Sequence, residues 1–149
     1  CQCGAPPTKP KLKEKGEVAV ARSTDPARVL AYFGADKPKT GKGAVALVSA
    51  LLALGKQADA EAEAFRAWTT LKFEAEDEDA MLAVMGDALK VAHEVRLDRI
   101  LRDSGRKPEA QRMLPRVSQD WQALAVARMA LRADSTKAVA LVEAVPQAL

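Results

Sequence analysis

Residues 41–68 read GKGAVALVSALLALGKQADAEAEAFRAW, and this stretch decides the fold class. From Gly43 to Leu54 it is apolar nearly all round, through Val45, Leu47, Val48, Leu51, Leu52 and Leu54. A helix without a polar face is expected to be surrounded by other helices. Gly55 is its natural stop, because a glycine tolerates the left-handed conformation that ends a helix. The next segment, Ala58–Leu71, reopens helical periodicity at once, with Ala58, Ala62, Phe65 and Trp68 as its apolar stripe and Glu61, Glu63 and Arg66 facing water. Helix, glycine, helix is the rhythm of a helical hairpin.

The rhythm extends in both directions. Asp25-Pro26 opens a helix with an N-cap acceptor followed by proline at the first position, and that helix ends at Gly34. Thr40 is placed to cap the apolar helix. From Ala75 to Leu89, the residues Met81, Leu82, Met85, Ala88 and Leu89 share one helical face. The acidic run Glu74–Asp79 falls in its first turns, where negative charge meets the positive end of the helix dipole. Consecutive carboxylates on a helix radiate apart, whereas hard cations need converging oxygens, so a metal site is not expected there.

Further on, HEVRLDRILRDSGRKPEAQRMLPRV (93–117) gives a helix with His93, Leu97, Ile100 and Leu101 on one face, a stop at Gly105, and a short helix opened by Pro108 and closed by Pro115. Ser118 caps a long helix carrying Trp121, Leu124, Ala125 and Leu131, with Arg128 on the same stripe as an expected buried, paired arginine. A turn at Asp134-Ser135 and a last helix from Ala138 to Val145 complete the pattern. The expected fold is therefore all-α: about eight helices in short hairpins stacked as a degenerate α-solenoid or superhelix.

Composition agrees. The chain has 149 residues, 48% hydrophobic and 29% charged, so it has enough apolar surface for a globular core. Aromatics are only 4%, which suits helices packed through alanine and argues against a sandwich or barrel. Residues 1–24 read as a flexible Pro/Lys-rich tail, with EVAVAR (17–22) left open as a short helix or strand, and residues 25–149 as one helical domain that breaks off mid-pattern before a further domain. The net charge is +3, with Lys9, Lys11, Lys13 and Lys15 in the tail and acidic runs in the folded part, a pattern that argues against nucleic-acid binding. No run approaches the roughly 18 apolar residues of a membrane span.

Chemistry-bearing patterns are sparse. KTGKG (39–43) lacks the spacing of a phosphate loop, which needs Gly at 36 and Ser or Thr at 43 but finds Asp36 and Gly43. His93 stands as a structural packing residue, as do Trp68 and Trp121, and no Ser or Cys nucleophile has a recognisable partner set. No catalytic, cofactor-binding or metal residue is assigned, and no cofactor is expected. Cys1 and Cys3 have three readings: lipid attachment at Cys1, a disulfide, or an accident of where the sequence begins. Arg96, Arg99, Arg102, Arg106 and Arg112 are dense enough to form a surface for an anionic polymer or a partner domain; the competing reading is solvated faces paired with Asp98 and Asp103.

Several of these stretches together resemble a family. TGKGAVALVSALLALG, AEAFRAW, AHEVRLDRILRDSGRKPEAQRMLPRV, DWQALAVARMALRADS and LVEAVP resemble the N-terminal superhelical, U-shaped domain of bacterial soluble lytic murein transglycosylases of the α-proteobacterial type, over about residues 33–149. The densest part is His93, Arg96, Leu97, Asp98 and Leu101, followed by Glu109-Ala110 and Arg112-Met113-Leu114-Pro115; Ala92 and Arg102 depart from the pattern. The resemblance implies a non-catalytic helical scaffold in the periplasm; the Lys/Pro-rich tail with CQC has no counterpart in that family, and the expectation of an outer-membrane lipid anchor rests on Cys1 alone. Its implied work is to position glycan strands, or a C-terminal lysozyme-like domain that cleaves them to 1,6-anhydro products. The implied partners are peptidoglycan, that catalytic domain, or other envelope proteins. A different class of function, a tetratricopeptide-like module binding another protein in a concave groove, fits the same helical pattern.

Overall fold

The computed structural model describes residues 16–103 and 105–133. Among these residues every regular element is helical and none is a strand. The α-helices are α1 (Pro26–Phe33), α2 (Gly41–Ala53), α3 (Gln57–Thr70), α4 (Ala75–Met85), α5 (His93–Leu101), α6 (Lys107–Met113) and α7 (Gln119–Ala133). Two 3₁₀ segments, Gly86–Ala92 and Leu114–Arg116, follow α4 and α6. The chain divides into two compact units, Cys1–Ala88 and Leu89–Leu149. The expected turn at Asp134-Ser135 and the last helix lie outside the described residues.

The helix ends follow local chemistry. Asp25 Oδ1 accepts the Ala27 N–H at 3.1 Å and Pro26 sits at the first turn of α1. Thr40 Oγ1 accepts the Gly43 N–H at 3.0 Å and so caps α2. At the other end of α2, the Lys56 N–H donates to Leu51 O at 2.8 Å and the Gly55 N–H to Leu52 O at 3.0 Å. This is the paired closure that a left-handed glycine permits, and Gly55 has φ +75. Gly86, at φ +56, ends α4 three residues before the expected limit at Leu89, and the chain continues as a 3₁₀ turn.

In the first unit α2 packs against α1, α3 and α4. Its inner face is Ala44, Leu47, Val48 and Leu51, each nearly or fully buried. Burying such side chains stabilises by about 1.5–3 kcal/mol for each large aliphatic residue. The opposite stripe of α2 is only half covered, at Lys42, Val45, Ala46 and Ser49, so this helix is not enclosed on all sides as its composition implied.

The buried face of α3 also differs from expectation. It consists of Ala60, Glu63, Ala64, Ala67 and Trp68, while Ala58, Ala62 and Phe65 are exposed. Alanine occupies both candidate faces, so periodicity does not separate them, and Glu63 turns inward because Arg66 neutralises it. The Arg66 Nη2 and Nε donate to the Glu63 carboxylate at 2.6 and 2.9 Å. Trp68 is fully buried, with Phe73 edge-on at a centroid distance of 5.3 Å.

The segment assigned to the tail is structured from residue 16. Residues 16–20 are helical, and Glu17 is fully buried. Its carboxylate accepts the Lys39 N–H at 2.8 Å, the Thr40 N–H at 3.0 Å and the Thr40 hydroxyl at 2.7 Å. One charged side chain thus straps the N-terminal segment to the start of α2.

In the second unit α5 packs on α6 and α7. Leu97, Ile100, Leu101 and Met113 form its apolar centre. On α7 the buried positions are Ala125 and Ala127, whereas Trp121 and Leu124 are half-buried and Leu131 is exposed.

Candidate functional site

Two features of the fold have the chemistry of a site. The first is a groove of about 540 Å³ in the first unit, lying over the uncovered stripe of α2. Val45, Ala46 and Ala50 line its floor, the strapped segment supplies Val18, Arg22 and Thr24, and α4 supplies Asp77 and Ala80. Lys42 reaches across from α2 to α4, with Nζ 3.1 Å from Asp77 Oδ1 and 3.4 Å from Glu76 Oε1. The hydrogen bond and charge of Asp77 hold the Lys42 ammonium above its ordinary pKa, burial opposing them and Glu76 adding to them. No aromatic side chain lines the groove. Its small apolar floor and scattered hydroxyls suit a polypeptide segment or an extended polar chain held by its edges.

The second feature is a buried charge cluster in the second unit. Arg96 Nη2 lies 3.0 Å from Glu109 Oε2, while Arg106 Nε and Nη2 lie 2.7 and 2.8 Å from Glu109 Oε1 and Oε2. Arg96 is 1% exposed and Glu109 7%. Two guanidiniums therefore share one carboxylate away from water, an arrangement that specifies how α5 meets α6. His93, at the start of α5, is buried as well. Burial pushes its pKa down from the ordinary value, and the positive charges of Arg116, Arg96 and Lys90 push in the same direction.

The five arginines, read from the sequence as solvated paired faces or as one surface, are separated. Arg96 and Arg106 turn inward onto Glu109, Arg112 is half-buried, and only Arg99 and Arg102 are exposed. The physical reason is Glu109, whose carboxylate draws two of them into the interior. Arg102 and Arg128 meet at Asp98, at 2.9 and 3.3 Å. Arg128 is paired as expected, but its side chain is 37% exposed rather than buried. Trp68 and His93 occupy interior positions, Trp121 a half-buried one, and Cys1 lies outside the described residues. The residues that sequence reasoning missed are Glu17, Glu109, Gly41 and Gly43. A signal existed for Glu109, because Arg106 and Glu109 stand at the i, i+3 spacing of a helical ion pair.

Among the described residues no group of three or more His, Cys, Asp or Glu side chains converges to hold a metal ion. No helix among them is long and apolar enough to cross a membrane. What the arrangement offers is surface and shape: a groove and a rigidly specified helix pair. Comparisons with family models, with curated proteins and with solved structures give no match to this chain.

Proposed function

We propose that this chain is the helical scaffold portion of a lytic transglycosylase-like peptidoglycan-processing protein, working in the periplasm by positioning glycan strands or a catalytic domain. In this reading its short helices form part of an α-solenoid. One observation carries the reading. Most of the residues on which the resemblance is densest lie in the interior of the second unit: His93, Arg96, Leu97, Leu101, Glu109, Ala110 and Met113 are buried, while Asp98, Arg112 and Leu114 are half-buried and Pro115 is exposed. A likeness written in packing residues speaks for a shared scaffold, and it assigns no chemistry to this chain. Anchorage to the outer membrane through lipid at Cys1 belongs to the same proposal.

The second reading, a tetratricopeptide-like module for another envelope protein, draws on the groove over α2. Glycan sites use aromatic faces, and this groove has none. Co-sedimentation of the purified chain with murein sacculi separates the two. Saturable binding that survives a wash at physiological salt supports the scaffold reading. Absence of binding, together with capture of one specific envelope protein through the α2 groove, supports the module.

A further inference from the structure

We infer that a second trough in the first unit is a binding site for an amphiphilic monoanion, an aliphatic chain ending in a carboxylate. The trough has a volume of about 580 Å³ and lies on the side of α2 that faces α1 and α3. Its floor is aliphatic, with larger side chains than those of the α2 groove described above. Leu47 and Leu51, one helical turn apart on α2, are joined by Leu30 from α1. Beside Leu30, Gly34 leaves the wall open, since nothing lies within 4 Å of where a Cβ would stand.

Charge is distributed unevenly along this trough. At one end the Glu63 carboxylate, whose side chain is 2% exposed, is answered by Arg66 at 2.6 Å. Arg66 is fixed in turn by the Pro38 carbonyl at 3.0 Å. Lys37 stands 3.9 Å from the same carboxylate with its side chain 65% exposed. Two cations over one buried carboxylate leave this end with a surplus positive charge. Asp59 lies about 6 Å from Glu63 along the axis of α3, at a rise of 1.5 Å per residue, and Lys56, the residue before the helix, about 10 Å from it. A carboxylate head would meet Lys37 and the fixed Arg66 guanidinium, with its chain lying on the leucine floor. A cationic head would meet Lys37 and Arg66 and be repelled; a neutral head would forgo the charge-assisted contact. The inference does not depend on the peptidoglycan reading, because a chain that ignores sacculi could still take such a ligand.

The test uses the full chain with methyl-labelled leucine and valine, titrated with decanoate, decanol, decyltrimethylammonium and acetate below their micelle-forming concentrations. Decanoate is expected to shift the Leu30, Leu47 and Leu51 methyl signals saturably. Decanol should bind about tenfold more weakly, as loss of one charge-assisted contact requires, and decyltrimethylammonium and acetate should give no saturable shift. Lys37→Glu, at an exposed side chain, should weaken decanoate by at least as much while leaving the amide spectrum folded. The inference is overturned if decanol binds as well as decanoate, if the shifts fall on Val18 and Val45 of the other groove, or if decanoate causes no saturable change.

Discussion

Gly43 faces the Glu17 carboxylate so closely that a methyl group at position 43 would fall on Glu17 Oε1. The glycine is therefore a consequence of the strap. A helix interior ordinarily favours alanine over glycine by about 1 kcal/mol, and here that preference is overridden by a carboxylate that needs the space.

This relationship predicts a reversal of sign. Gly43→Ala should destabilise the first unit by about 1–3 kcal/mol, because Glu17 is displaced from its backbone donors. Glu17→Ala should cost a similar amount. In the Glu17→Ala background, however, Gly43→Ala should stabilise by up to about 1 kcal/mol. Urea unfolding followed by Trp68 fluorescence, with Trp121 replaced by Phe, measures all four corners of the cycle. Additive losses would show that the carboxylate and the glycine are not coupled.

Gly41 has a parallel role one residue before Lys42. A Cβ there would stand 2.6 Å from Phe73 Cδ2, and Phe73 is the ring that closes over Trp68. Gly41→Ala is expected to cost about 1–3 kcal/mol as an overpacking substitution and to change the near-ultraviolet circular dichroism of Trp68. An unchanged tryptophan signal would contradict the packing described.

The Glu109 carboxylate lies between Arg96 and Arg106 and bonds both. Glu109→Gln removes the carboxylate charge that these two buried guanidiniums share and should destabilise the second unit by about 3–5 kcal/mol. Replacing all three residues together by Met, Leu and Met should come much closer to the wild type. Hydrogen exchange at the α5 amides reports both. A triple replacement as damaging as Glu109→Gln would mean that the cluster stabilises through more than its charge balance.

His93 gives the second unit a pH dependence of known sign. Its folded-state pKa lies below the ordinary 6.5, so the unfolded chain binds the proton more readily. The contribution of neutral His93 is fully present above about pH 6.5 and is lost as pH falls through the lower folded pKa. The chain contains one histidine, so His93→Gln should flatten the stability of this unit between about pH 7 and pH 5.5. The same slope in both proteins would assign it to carboxylates instead.

Much of the fold was legible because its signals are local. Asp25-Pro26, Thr40, Gly55 and Ser118 mark helix ends through groups two to four residues away, and the structure uses each of them. Pairings over longer distances were not legible. Glu17 meets Lys39 and Thr40 across more than twenty residues of chain, through backbone N–H groups that carry no sequence signature. The inward turn of Glu63 was hidden by alanines on both faces of α3. For the five arginines the sequence left solvated faces and one basic surface both open, because sequence density cannot show that Arg96 and Arg106 converge on one carboxylate.

On the proposed scaffold reading, this chain supplies shape and binding to peptidoglycan and no bond cleavage. That reading is tested most directly by incubating the purified chain with murein sacculi and measuring bound protein and released muropeptides in the same sample. The account predicts saturable binding with no release of 1,6-anhydro muropeptides or of hydrolysed ones. Release of either product by this chain, or failure to bind sacculi at all, would contradict it.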